Sequence, residues 1–166
     1  YRERARLLRA LGDLDAAVFF ATRDQKHFDS ALGTYRGALE RAEKGRLVPE
    51  TVFRIGELFR RAGRAKEAAE SYRRAAEGYP SSPVAPYARL GLSLVALAEG
   101  SLEVAVQEAA RSRELAPEPS LAAEAACAEG TALLASGRYE EAAKALEPLL
   151  DRVGFPLRDR ALQRLA

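Results

Sequence analysis

The 166-residue sequence contains no methionine and no tryptophan, one cysteine and one histidine. With Cys127 alone, no intrachain disulfide forms and cysteine usage leaves the redox compartment open. A single His and a single Cys cannot furnish the ligand set of a zinc site. His27, beside a turn, reads as a surface residue, and Cys127, on an Ala-rich helix face, reads as buried packing rather than a reactive thiol. A nucleophile–histidine pair would have to rest on His27, and no Gly-x-Ser-x-Gly setting, Walker loop or dinucleotide fingerprint accompanies it. Neighbouring carboxylates such as Glu140 and Glu141 diverge around a helix and make poor acid–base partners. The expectation is a chain without catalytic residues, cofactor or metal.

Charge of one sign is also missing. Lys and Arg number 26 against 24 Asp and Glu, a net charge of +2, with no run of like charges. That argues against a nucleic-acid-binding or membrane-binding arm. The longest apolar stretch, Leu90 to Ala98, is nine residues, too short to span a bilayer. Because Met is absent even at position 1, the chain reads as a piece of a larger protein whose targeting signal lies elsewhere. What is present is a hydrophobic fraction of 48% and a charged fraction of 30%, enough for a core and inconsistent with disorder. Arg outnumbers Lys 22 to 4, a composition expected of a GC-rich bacterium.

The apolar spacing predicts helices throughout. Leu7, Leu8 and Leu11 mark a short helix over Tyr1–Leu11 that Gly12 should stop. Leu14, Ala17, Val18 and Ala21 form the inward stripe of a helix over Asp13–Asp24, and Phe28, Ala31, Tyr35, Ala38 and Leu39 that of Phe28–Lys44. A loop over Gly45–Pro49 leads into helices on either side of Gly63, and the Pro-rich connector Pro80–Pro86 follows. Further helices are expected over Pro86–Glu99, Ser101–Leu115, Leu121–Ser136 and Arg138–Arg152, and Pro156 opens a last one to Ala166. Glu57–Arg61, Glu70–Arg74 and Glu140–Lys144 are spaced for ion pairs on solvated helix surfaces.

These helices repeat. Ala31, Ala68, Ala105 and Ala142 fall 37 residues apart, as do Lys26, Gly63, Gly100 and Gly137 at the expected turns. Pro49 and Pro86, and Pro80 and Pro117, share the spacing. The period divides the chain into 1–11, the remnant of a preceding repeat, then repeats 12–48, 49–85, 86–122 and 123–155, with 156–166 opening another. Gly91 looks like the packing residue of the third unit, but the period assigns Ser93, small enough for the same contact. Gly12-Asp13-Leu14-Asp15-Ala16-Ala17 also imitates a turn within a repeat, which would pair Tyr1–Leu11 with Asp13–Asp24; the period favours Asp13–Asp24 as the first helix of the first repeat. A hairpin alone cannot bury its stripe, so neighbours must stack.

In Pro49–Pro80, Gly56 and Ala68 are the small positions, Phe59 and Tyr72 the large ones, and Pro80 closes the unit. This order resembles the tetratricopeptide repeat, a helix–turn–helix of about 34 residues, with Val52 where that family most often has Trp. The resemblance implies an all-α fold, an α–α superhelix (right-handed solenoid) of stacked helix hairpins, whose first helices line a concave groove that takes an extended peptide or a helix of a partner protein. Carried over position by position, it makes Phe20, Phe53, Arg54, Glu57, Arg60, Arg61, Tyr87, Leu90, Leu94, Cys127 and Thr131 candidate groove residues. The Lys and Asn that hold a C-terminal carboxylate in one subgroup are absent: the matching pairs are Ala16 with Phe20, Phe53 with Glu57, Leu90 with Leu94 and Cys127 with Thr131. Arg54, Arg60 and Arg61 could grip an acidic segment or be ordinary solvated arginines, and Phe53 could be an anchor or inter-repeat core.

The expected function is a protein–protein interaction scaffold, part of a larger bacterial protein, with end-to-end self-association through terminal half-repeats as a further possibility. A regulatory or sensor module of a multidomain enzyme or transcription factor is the alternative. The connector Tyr79-Pro80-Ser81-Ser82-Pro83 and the long period are similar to repeats of bacterial envelope proteins, which leans the localisation toward the periplasm or envelope.

Overall fold

The computed structural model describes residues 2–42 and 47–150. Within them lie eight α-helices and no strand: α1 (Arg2–Thr22), α2 (Gln25–Arg41), α3 (Leu47–Arg61), α4 (Ala65–Glu77), α5 (Ala85–Ala98), α6 (Leu102–Leu115), α7 (Pro119–Ala135) and α8 (Tyr139–Leu150). They form two compact units, Tyr1–Val84 and Ala85–Ala166. In the first, α1 packs on α2 and α3 on α4, with α3 also touching α1 and α2. In the second, α6 packs between α5 and α7, and α8 closes on α7. The expected final helix from Pro156, the last residues of Arg138–Arg152 and of Phe28–Lys44, and the first two residues of the Gly45–Pro49 loop lie outside the described residues.

Three of the four hairpin turns are built alike. Gly63, Gly100 and Gly137 adopt φ of 76°, 75° and 74°, a left-handed conformation that costs glycine little. In each, the next residue's N–H reaches back five residues: Arg64 to the Phe59 carbonyl (2.9 Å), Ser101 to Ala96 (2.8 Å) and Arg138 to Leu133 (2.9 Å). This is the Schellman closure of a helix end, and it satisfies carbonyls that the helix leaves unpaired. Three prolines sit where the helix needs no N–H donor: Pro49 is the third residue of α3, Pro86 the second of α5 and Pro119 the first of α7, whereas Pro148 lies inside α8. The expected loop at Gly45–Pro49 therefore becomes helix from Leu47 onward.

Small residues set the distance between paired helices. A Cβ on Gly56 would lie 2.7 Å from the Tyr72 ring, and one on Gly130 would lie 2.6 Å from Leu146. Ser93 holds the same place between them; it is fully buried and its hydroxyl donates to the Ala105 carbonyl at 2.8 Å. The hydroxyl lets a polar residue sit at a helix contact without an unpaired donor.

The first hairpin departs from the period. Gly12 does not stop a helix: α1 runs unbroken for 21 residues. Phe19 occupies the place that the period gives to a small residue, and it is buried against Phe28 with ring centroids 5.4 Å apart. The close approach moves two turns back, to Gly12, where a Cβ would lie 2.7 Å from the Tyr35 ring. The turn moves as well. Arg23, not Lys26, takes the left-handed conformation (φ 61°), and Asp24 caps α2 through a 2.9 Å bond from the Lys26 N–H. The inward face of α1 is Ala5, Ala16 and Phe19, whereas the stripe expected there, Leu14 and Val18 with Ala17 and Ala21, faces outward.

Glycine substitutions separate the two readings of Gly12. If Gly12 merely weakened a helix, Gly12→Ala would add about 0.5–1 kcal/mol of stability. With the Tyr35 ring in contact, Gly12→Ala should instead cost about 1–3 kcal/mol. Gly33→Ala, at an exposed α2 position with nothing within 4 Å, should stabilise. Urea denaturation of the two variants beside the parent reads both signs.

Candidate functional site

In the first unit, the first helices α1 and α3 carry a polar arrangement that occurs twice. In both places a tyrosine ring covers a glycine and its hydroxyl donates to the carboxylate of the next residue. Tyr35 covers Gly12 and bonds Asp13 at 2.7 Å; Tyr72 covers Gly56 and bonds Glu57. Each carboxylate then meets an arginine of α3. Arg54 lies 3.7 Å from Asp13, and Arg60 grips Glu57 through two bonds of 3.0 and 3.3 Å. Arg60 Nε also reaches the Tyr72 hydroxyl at 3.2 Å. Burial, then the Glu57 charge and hydrogen bond, push the Tyr72 phenol well above its ordinary value; burial, then the Asp13 bond, do the same for Tyr35. Both phenols therefore stay protonated donors at physiological pH.

Burial alone would raise the pKa of Glu57, but hydrogen bonds from Arg60 and Tyr72 and the charges of Arg60 and Arg61 outweigh it and hold the carboxyl below its ordinary value. Arg60 is thus committed to an internal network and is not a free grip for an acidic segment. Arg61 lies 3.9 Å from Glu57 with its guanidinium 4.4 Å from the centre of the Phe20 ring, a cation–π contact. Its carbonyl accepts from Arg23 at 2.5 Å. Phe53 packs against Tyr72 with centroids 5.9 Å apart and is half-buried. Arg9 and Glu50 pair across α1 and α3 at 3.1 Å. Phe20, Phe53, Glu57, Arg60 and Arg61 are therefore linked with Tyr72 in one set of contacts joining α1, α3 and α4. Arg54 belongs to a second set with Asp13 and Tyr35, joining α1, α2 and α3; the Gly-acid pairs Gly12-Asp13 and Gly56-Glu57 are the sequence signal for the two.

The second unit differs. The residues after its small positions are Leu94 and Thr131, not acids. Leu94 is exposed and Tyr87 half-buried. Leu90 is core, packed with Ala109, Leu121, Ala125 and Ala128, and Cys127 is core with Ala123, Ala126, Leu146 and Leu149. Both are more than nine-tenths buried, Leu90 among α5, α6 and α7 and Cys127 between α7 and α8. Thr131 donates its hydroxyl to the Cys127 carbonyl at 2.6 Å, within its own helix. Polar residues elsewhere in this unit stitch helices: Glu108 accepts from Arg89 (2.9 Å) and Arg111 (3.0 Å), and Glu129 from Arg113 (2.9 Å).

On the other side of the first unit, a cleft of about 280 Å³ opens between α2 and α4. Val52, Ile55 and Phe59 of α3 line it with Leu32, and Arg36, Glu70 and Arg74 are among its polar residues. Among the described residues, no helix is long and apolar enough to cross a membrane.

The Glu57 network has a pH signature. A carboxylate whose pKa is lowered in the fold stabilises it above the unfolded value, about 4.3, and the gain disappears as pH falls through the folded value. Glu57→Gln should therefore cost about 1–3 kcal/mol at pH 7, and the gap from the parent should close below about pH 4. Denaturant titrations at pH 7 and pH 3 measure it.

No curated protein matches the chain. Among solved structures, it is similar to a kinesin-light-chain-like protein from Podosopora anserina built of nearly identical TPR-like repeats, at 16% identity and a TM-score of 0.80 over 98% of this chain and 84% of that one. That likeness shows the fold, an all-α array of TPR-like hairpins. The tetratricopeptide repeat family matches residues 21–83, 53–119 and 127–166, most of the chain, so this protein belongs to the tetratricopeptide repeat family.

Proposed function

We propose that the protein is a non-catalytic interaction scaffold that binds a peptide or helix of a partner protein on the first-helix face of its first unit. Tetratricopeptide repeats generally mediate protein–protein interaction. The observation that carries the finer reading is the set of side chains held ready on α1 and α3. The Tyr72–Glu57–Arg60 network fixes the surface, leaving Phe20 and Phe53 partly open beside the half-exposed guanidiniums of Arg54 and Arg61. Rigid aromatic and arginine side chains are the residue types that dominate interface energetics. Such a face suits a segment with an apolar anchor flanked by Asp or Glu. In the second unit, Tyr87, Leu94 and Thr131 remain the candidates, giving a more neutral surface. The variant Phe53→Ala with Arg54→Glu should keep its helical circular dichroism yet lose at least tenfold in affinity for its partner. Undiminished binding by a folded variant excludes this face.

The cleft between α2 and α4 supports a second reading, a ligand-sensing module. Under it, a small carboxylate with an apolar body, such as octanoate, should raise the melting temperature of the parent but not of Arg74→Glu. An unchanged melting temperature in the parent counts against it.

A further inference from the structure

Ion pairs tie helices together later in the chain at positions where the cleft between α2 and α4 has none. One period on from Val52 and Ser71 stand Arg89 and Glu108, bonded at 2.9 Å between α5 and α6 and largely buried. Two periods on from Leu39 and Ile55 stand Arg113 and Glu129, bonded at 2.9 Å between α6 and α7. Leu39, Val52, Ile55 and Ser71 cannot form such pairs, and all four line the cleft, which stays open at about 280 Å³. That is just short of the roughly 300–1,000 Å³ usual for ligand pockets, so the space suits a small molecule.

The lining selects the kind of molecule. Val52, Ile55 and Phe59 of α3 give it an apolar floor. Arg36 of α2 and Arg74 of α4 line it from opposite helices; both are exposed, and neither has an ion-pair partner among the described residues. Of the two acids in the lining, Glu67 is held by Arg64 at 2.8 Å, which leaves Glu70 alone against two arginines. A guanidinium on each wall favours an anion, and its planar fork matches a carboxylate. We propose that the cleft holds a small alkyl carboxylate, its head between Arg36 and Arg74 and its tail on Val52 and Ile55. The ligand then joins α2 to α4 as built-in ion pairs join the later helices. This deepens the ligand-sensing reading and rests on it for the site; the addition is that both walls hold the head group.

A chemical-shift titration of the whole chain with octanoate should saturate, with the shifted amides centred on α2 and α4. Octanol, the same tail without the charge, should bind tenfold more weakly or worse. Arg36→Gln and Arg74→Gln, both at exposed positions, should keep the fold, and each should lose about tenfold in affinity, the effect of one charge-assisted hydrogen bond. Ser71→Leu keeps both arginines but fills the space between the walls, so it should abolish saturable binding with circular dichroism unchanged. Octanol binding as tightly as octanoate overturns the proposal, and so does parent-like binding by Ser71→Leu. A loss in Arg74→Gln with none in Arg36→Gln overturns the two-walled clamp and leaves the sensing reading standing. No shift at any residue with octanoate removes both.

Discussion

The contact on which the first unit depends is a tyrosine ring lying against a helix that has no side chain at that point. Tyr35 on Gly12 and Tyr72 on Gly56 bring paired helices close enough for the phenol to pass the neighbouring backbone and reach the next residue's carboxylate. Packing and electrostatics are thereby one device. The ring excludes water from around the hydroxyl, and the carboxylate that receives it is then held by arginine rather than solvent. Replacing the tyrosine with Ala109 or Leu146 in the second unit keeps the close approach but removes the hydroxyl, and Leu94 and Thr131 stand where an acid would have no donor to meet. The difference in character between the surfaces of the two units follows from that one substitution in the core.

Much of this is legible in the sequence. The 37-residue spacing located the Gly63, Gly100 and Gly137 turns, because a left-handed turn demands the same residue each time, and it chose Ser93 over Gly91 correctly. It failed in the first hairpin. Periodicity reports spacing, and Phe19 fills a volume that spacing assumes to be empty; the helices answer by meeting at Gly12, and the turn follows to Arg23. The direction of α1 was misread for a related reason. With apolar residues on two sides, its period cannot say which side is core, and the smaller residues Ala5 and Ala16 went inside while the leucines did not.

The candidate site was legible in part. Position along a repeat singled out Phe20, Phe53, Arg54, Glu57, Arg60 and Arg61, but not the engagement of Arg60 by Glu57 and Tyr72, which depends on a ring contributed by a different helix. The burial of Leu90 and Cys127 was not legible, because repeat position specifies an angle around the helix and not the depth of the neighbour. Among alanine-rich helices the backbones lie close, and a position that would be open beside bulkier partners is covered.

The glycine turns also bear on how the chain reaches its fold. Each is closed by backbone bonds spanning only a few residues, and within each unit helices pack only on neighbours one or two elements away in sequence. Little loop entropy is lost before contacts form, which favours rapid folding by local steps. A hairpin emerging during synthesis can close before the following one exists, so each newly made helix finds a finished surface waiting for it.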